Sequence, residues 1–298
     1  MKIKRFTAIF AFFVIIAVCP VFADDDAPVL TQQEKGLIDW TNNYVEAQGM
    51  AVAPPGTHGA QAKAMARRGA MLDLQRNLLE FLSGVQVDSE TRMENFMAED
   101  RVKSEVHGVI RNVEATSGEW DGEVYTIKGR IKLADVRKVI AHKFPEASET
   151  PEVIIYEDDD EEDDPAPARK IIRKSKPAPK KKAAPKKSAR YTGLVIDVRH
   201  LPYTPAMTFN VYDAKGRPVY GMNFVNRSNY LTSGLCAYFT NLNSARDNYT
   251  VASSPITAKA VRLGKGNVDI YISNSDAAKV RASSPDFRKT CRVIVVSR

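Results

Sequence analysis

The reactive side chains of this sequence are spaced for bonding and binding rather than for catalysis. Cys236 and Cys291 have no histidine beside them and no second cysteine two residues away. Neither is therefore set up as a thiolate nucleophile or a redox dithiol. Two such cysteines read either as a disulfide, were the chain exported, or as two buried free thiols. A bond between them would close a loop of about 56 residues and contribute roughly 4 kcal/mol. His58, His107, His142 and His200 are scattered without metal-ligand spacing, and no Gly-x-Ser-x-Gly occurs. Gly264-Lys265-Gly266 lacks the upstream glycine and the following Ser or Thr of a phosphate loop. Asp197, Arg199 and Asp269 sit at the ends of apolar runs, where they read as ion-pair partners or as the rim of a ligand cleft. No catalytic residue, metal site or cofactor is expected.

Charge is concentrated in one stretch. Glu157–Asp164 is an unbroken carboxylate run, followed by a Lys/Pro/Ala tract from Arg169 to Arg190. Almost nothing in it is apolar, so it cannot offset the entropy of ordering itself and reads as an extended linker between two folded parts. At about 3.1 Å per residue the basic tract alone would reach on the order of 70 Å. A calcium loop in the acidic run is disfavoured, because no glycine marks the sharp turn and Ala168 stands where a Glu would close it. The basic tract, Lys170, Lys174, Lys176, Lys180, Lys181, Lys182, Lys186 and Lys187 in particular, is a solvated spacer or a grip on an anionic envelope polymer or lipid headgroup. Nucleic acid is disfavoured as a partner, since no aromatic residues are interleaved for base stacking.

The formal charge is +7 over 298 residues. Lys2, Lys4 and Arg5, with the surplus of the basic tract over the acidic run, account for nearly all of it, so no basic face is implied on the folded parts. The basic start, the apolar run Ala8–Val18 and the small residues around Val21-Phe22-Ala23 read as a cleavable export signal over 1–23. Two alternatives stay open, lipidation at Cys19 and an uncleaved leader, and either would give membrane association.

Between 36 and 145 the pattern is a strand, a long helix and a hairpin. Tyr44–Val52 alternates, Pro54-Pro55-Gly56 stops it, and Thr57 is the expected N-cap of a helix over Ala60–Leu82. Ala60, Ala64, Met71, Leu74, Leu78, Phe81 and Leu82 form its expected apolar stripe, in which Arg67 is out of place. Arg67 would reach water over the apolar surface or pair with Asp88 or Glu90. Val85–Ser89 reads as a short strand, and Met93–Ile110 is ambiguous between helix and strand. Asp121-Gly122 is a two-residue turn between strands over Val113–Trp120 and Glu123–Leu133, with Tyr125, Ile127 and Ile131 inward and Lys128, Arg130 and Lys132 outward. A short helix over Asp135–Lys143 follows.

Several motifs in this part carry a resemblance. Glu46-Ala47-Gln48-Gly49, Pro54-Pro55-Gly56, Ala66-Arg67-Arg68-Gly69-Ala70 and Gly84-Val85-Gln86-Val87-Asp88-Ser89-Glu90-Thr91 together resemble the Lpp-twenty-like lipoprotein domain, over roughly 40–133. The N-terminal part of flagellar assembly protein T is a related module. The resemblance implies a small α+β envelope domain found in surface or motor-associated assemblies, with no active site to carry over.

From 191 to 298 the sequence reads as strands with two short helices. Gly193–Val198 and Cys291–Val296 are continuous apolar runs, as for strands buried on both faces. Asp213-Ala214-Lys215-Gly216 is a hairpin turn, Asn243–Asn248 and Asp276–Ala282 are helical, and Ile256–Val261 and Val268–Ile272 are strands. Thr192–Arg199 and the closing Cys291–Val295 are similar to a C-terminal segment that accompanies the Lpp-twenty-like domain. The expected fold class is α+β: an N-terminal sheet packed by one long helix, a disordered linker over 146–190, and a C-terminal mixed α/β, sandwich-like domain. The expected function is that of a non-enzymatic exported scaffold, periplasmic or outer-envelope associated. Its two domains would bind other envelope proteins or cell-wall polymer, and the linker would set their separation. The alternative is a module that binds an anionic polymer or lipid through the basic tract.

Overall fold

The computed structural model describes residues 27–144 and 190–298. The leader, Cys19, the acidic run and the lysines from Lys170 to Lys187 lie outside them.

The first lobe begins with strands β1 (Leu30–Gln33), β2 (Gly36–Asp39) and β3 (Tyr44–Val52), the last of which spans the expected alternating run. Helix α1 (Gly59–Ser83) lies against β3, followed by α2 (Met93–Phe96) and α3 (Asp100–Arg111). Strands β4 (Glu114–Trp120) and β5 (Val124–Lys132) form the expected hairpin, and α4 (Leu133–Ile140) closes the lobe with a 3-10 turn after it. The hairpin turn is locked by Asp121, whose carboxylate accepts from the Glu123 and Val124 amides, while Gly122 takes φ 109°. The five strands make one antiparallel sheet in the order β1-β2-β3-β5-β4. Tyr125, Ile127 and Ile131 are buried on its inner face, and Lys128, Arg130 and Lys132 point outward.

Helix α1 corrects the expected stripe in its first half. Ala62, Ala66 and Ala70 are buried with Leu74, Leu78, Phe81 and Leu82, so the contact line runs in steps of four and leaves Ala60, Ala64 and Arg67 exposed. Arg67 thus needs no buried partner, and Glu90 pairs with Lys265 instead. Small residues mark this line because the helix backbone sits almost on the sheet. Thr57 is not the N-cap: His58 holds that position, and the Thr57 hydroxyl donates to the Pro54 carbonyl. Val85–Ser89 forms only an isolated bridge, Gln86 to Arg92.

The second lobe is built on β6 (Gly193–Asp197), then β7 (Val211–Tyr212) and β8 (Pro218–Tyr220). Helix α5 (Arg227–Ser233), unforeseen in the sequence, leads to β9 (Ala237–Phe239), α6 (Leu242–Asp247), β10 (Pro255–Lys259) and β11 (Arg262–Leu263). Strand β12 (Ile270–Tyr271), α7 (Asn274–Arg281) and β13 (Val293–Val296) complete it. One sheet is wholly parallel, β10-β6-β13-β9, with β6 and β13 in the middle. That position explains their uninterrupted apolar sequence, since both faces are covered. The other sheet, β11-β12-β7-β8, is mixed. The α+β class expected from the sequence is the class observed.

The two lobes are not held apart, which corrects the expectation of separate cores. One hydrophobic cluster runs through both, joining Trp40, Leu133 and Ile140 of the first to Tyr230, Leu235 and Tyr238 of the second. The Trp40 and Tyr238 rings lie 5.7 Å apart, and Phe144 meets Tyr230 edge-on at 6.3 Å. Backbone bonds cross the seam as well: the Met207 and Thr208 amides donate to the Gln86 and Val87 carbonyls at 3.2 and 2.8 Å. Helix α4 of the first lobe lies against α5 of the second. Among the described residues no helix is long and apolar enough to cross a membrane.

Candidate functional site at the seam between the lobes

Chemically distinctive groups gather along the seam, in two places. The first is centred on Arg137. Helix α4 buries Leu133, Val136, Val139 and Ile140, and Arg137 belongs to the same face at only 5% exposure. Its guanidinium donates to the Asn43 side-chain oxygen at 3.1 Å and lies 3.5 Å from the Thr232 carbonyl, while its Nε has no partner. Burial without a carboxylate beside it lowers its pKa. The Tyr230 hydroxyl, also buried and unpartnered, feels the same charge. An additional side chain on Gly234 would come within 3.3 Å of the guanidinium, so this glycine leaves the room Arg137 occupies.

Cys236 and Cys291 border this region. The disulfide expected as one alternative is absent, and both residues are buried free thiols. They nonetheless share one polar cavity of about 490 Å³ with Thr41, Asn43 and Thr290. Burial raises both thiol pKa values, that of Cys291 to about 12, so both are protonated at neutral pH despite the nearby arginine.

The second place is a cleft of about 450 Å³ between the turn after Val87 and the start of the mixed sheet. The first lobe contributes Asp88, Glu90 and Phe144, and the second contributes Phe209, Tyr212 and Asp269. Lys265 spans the opening and pairs with Glu90 at 2.9 Å. Asp88 is fixed by its own turn, its Oδ1 accepting from the Glu90 and Thr91 amides at 2.8 and 2.9 Å. Asp269 is only 7% exposed, with Oδ1 accepting from the Asn210 amide at 2.8 Å.

The residues expected to line one cleft in the second lobe are not brought together. Asp197 and Arg199 form a bidentate pair at the end of β6, at 2.9 and 2.8 Å, and Arg199 holds the Asp197 carboxyl below the usual range. The pair satisfies itself locally because the chain turns sharply after β6. Asp269 instead faces the seam, with neither Asp197 nor Arg199 beside it.

Arg137 went unnoticed in the sequence although it carried a usable signal, a charge at a core position of a short helix flanked by Val136, Val139 and Ile140. The cleft carried no such signal, because its carboxylates lie far apart along the chain.

Residues 193–298 match a family model described as the second domain of Treponema pallidum Tp0624. The match begins at the first residue of β6 and covers the second lobe alone. No curated protein matches the chain.

Proposed function

We infer that this protein is a non-enzymatic, exported component of the bacterial cell envelope that works as a scaffold, with both lobes acting as one body. The observation that carries the reading is the seam. A core shared across two lobes, crossed by backbone hydrogen bonds, gives a rigid platform whose outer surfaces keep a fixed relation to one another. The expected export signal and the Lpp-twenty-like resemblance of the first lobe support the same direction. The buried thiols at the seam are protonated and Arg137 is tied to Asn43 and Thr232, a state suited to holding structure.

A second reading concerns the charged segment and is favoured by the same seam. Because the lobes already touch, residues 145–189 are not needed to hold them apart. Their basic tract is then best explained as an arm that grips an anionic envelope polymer or lipid headgroup by diffuse charge. Fractionation of cells carrying the native gene tests both readings. The chain is expected in the envelope fraction, with a mature end at Asp24. Replacing Lys170, Lys174, Lys176, Lys180, Lys181, Lys182, Lys186 and Lys187 by Gln is expected to release it at lower salt. Recovery of a freely diffusing monomer or of cytosolic protein would refute the scaffold reading; salt-insensitive retention of the Gln variant would refute the arm.

A further inference from the structure

We propose that the cleft between the lobes is a binding site for an organic ammonium ion, a primary amine carried on an apolar stem, held between Asp88 of the first lobe and Asp269 of the second. Asp269 provides the anchor. It is 93% buried by the complement of its 7% exposure, yet it forms no ion pair, and only one of its oxygens is engaged, by Asn210. A carboxylate oxygen left free at the wall of a cleft, where water still reaches it, is open to pairing with a cation. Its other oxygen has no partner in the protein, and the residue lines the cleft. Asp88, across the cleft, likewise engages one oxygen with its own turn and leaves the second uncommitted. Glu90 is already neutralised by Lys265, so two carboxylate charges remain for a ligand.

The remaining walls select the kind of cation. Phe144, Phe209 and Tyr212 line the same cleft, which favours a cation with hydrocarbon attached through apolar burial. A bare metal ion would find too few ligands, since no group of three or more metal-binding side chains exists among the described residues. About 450 Å³ accommodates a lysine-sized or phenethylamine-sized ligand. Because each lobe supplies one carboxylate, an occupant would also tie the lobes together, and binding to the folded form alone would raise the unfolding temperature.

Calorimetric titration of the full chain tests this directly, with 2-phenylethylamine and Nα-acetyl-lysine methylamide as cations and 2-phenylethanol as the neutral isostere. The amines are expected to bind and the alcohol to bind at least about tenfold more weakly. Binding by phenylethylamine alone would indicate a free small amine as the natural occupant, and binding by both would admit a lysine side chain. Asp269→Asn keeps the acceptor for the Asn210 amide and removes the charge; it is expected to weaken amine binding about tenfold with an unchanged unfolding midpoint. Asp88→Asn is expected to weaken it about threefold, and this variant carries the test if Asp269→Asn fails to fold. Equal binding of amine and alcohol, no amine binding at about 10 mM, or wild-type affinity in the foldable variants would overturn the proposal.

Discussion

Gly49 is the position at which the first lobe depends most sharply on one absent methyl group. A Cβ there would stand 2.2 Å from the Leu74 nitrogen and 2.3 Å from the Ala70 carbonyl oxygen, both backbone atoms of α1. Backbone cannot rotate aside as a side chain can, so Gly49→Ala forces the helix off the sheet by about 1 Å to restore ordinary contact. A lift of that size forfeits a quarter to a half of the contact energy along the interface. Leu74, Leu78 and Phe81, all buried there, are each worth about 2 kcal/mol. The lift also stretches the bonds that tie α1 to the edge of β3, Met50 amide to Asp73 and Asn77 side chain to the Gln48 carbonyl. Those two bonds contribute about 1 kcal/mol each. The expected loss is about 4 kcal/mol, seen in calorimetry as a fall in Tm of about 10 °C. Gly108→Ala is the control. It lies inside α3 with nothing within 4 Å of the new methyl, and should gain about 0.5 kcal/mol. A Gly49→Ala variant within about 1 kcal/mol of wild type would show that helix and sheet are not in backbone contact.

The remaining predictions concern the second lobe and the seam. Burial raises the folded-state pKa of both thiols, so their contribution is complete below the unfolded value of about 8.5. Stability should fall as pH rises from there toward about 12, and Cys236→Ser with Cys291→Ser should flatten the profile. Native protein at pH 8 should leave both cysteines unlabelled by iodoacetamide, with labelling on denaturation, as peptide mass spectrometry reads it. Asp213 is fully buried and accepts from the Lys215 and Arg217 amides and from the Arg217 and Arg281 side chains. Burial opposes its ionisation, but these donors prevail and its pKa is lowered. Its stabilisation is therefore complete above the unfolded value of about 4 and lost as pH falls through the lower folded value. Asp213→Ala should cost about 3 kcal/mol at pH 7 in urea unfolding, and a loss below about 1 would refute the network. Proteolytic cleavage within 157–190 should leave the two fragments eluting as one species in gel filtration, whereas separate elution would show that the seam does not hold them.

How much of this was legible in the sequence follows from the range of the forces involved. Strand β3, the β4–β5 hairpin and the central strands β6 and β13 were readable because each is written in local alternation, turn chemistry or a continuous apolar run. The line of contact on α1 was misread because two arcs of small and apolar residues compete in its first half. The choice between them is made by Gly49, on another element, which pulls Ala70 and Leu74 onto the sheet. Helix α5 was missed because Arg227–Ser233 has one buried side chain, Tyr230, and owes its place to contact with Phe144 and α4. The same limit hid the cleft. Asp88 and Asp269 acquire a common surroundings only when Thr208 docks on Val87.

The seam also changes what the length of the charged segment means. Closing a chain loop costs free energy that grows only logarithmically with its length, so a long connection between touching lobes carries little penalty over a short one. The shared core and the backbone bonds across it are what keep the seam closed, whatever the length of the connection. Polar interlobe contacts such as Thr41 to the Tyr238 carbonyl and Arg227 to the Ala141 carbonyl add to that core along the seam. An amine in the cleft would therefore act on the seam itself. Its effect on stability follows from its affinity and concentration, and it would be felt in the unfolding of both lobes together.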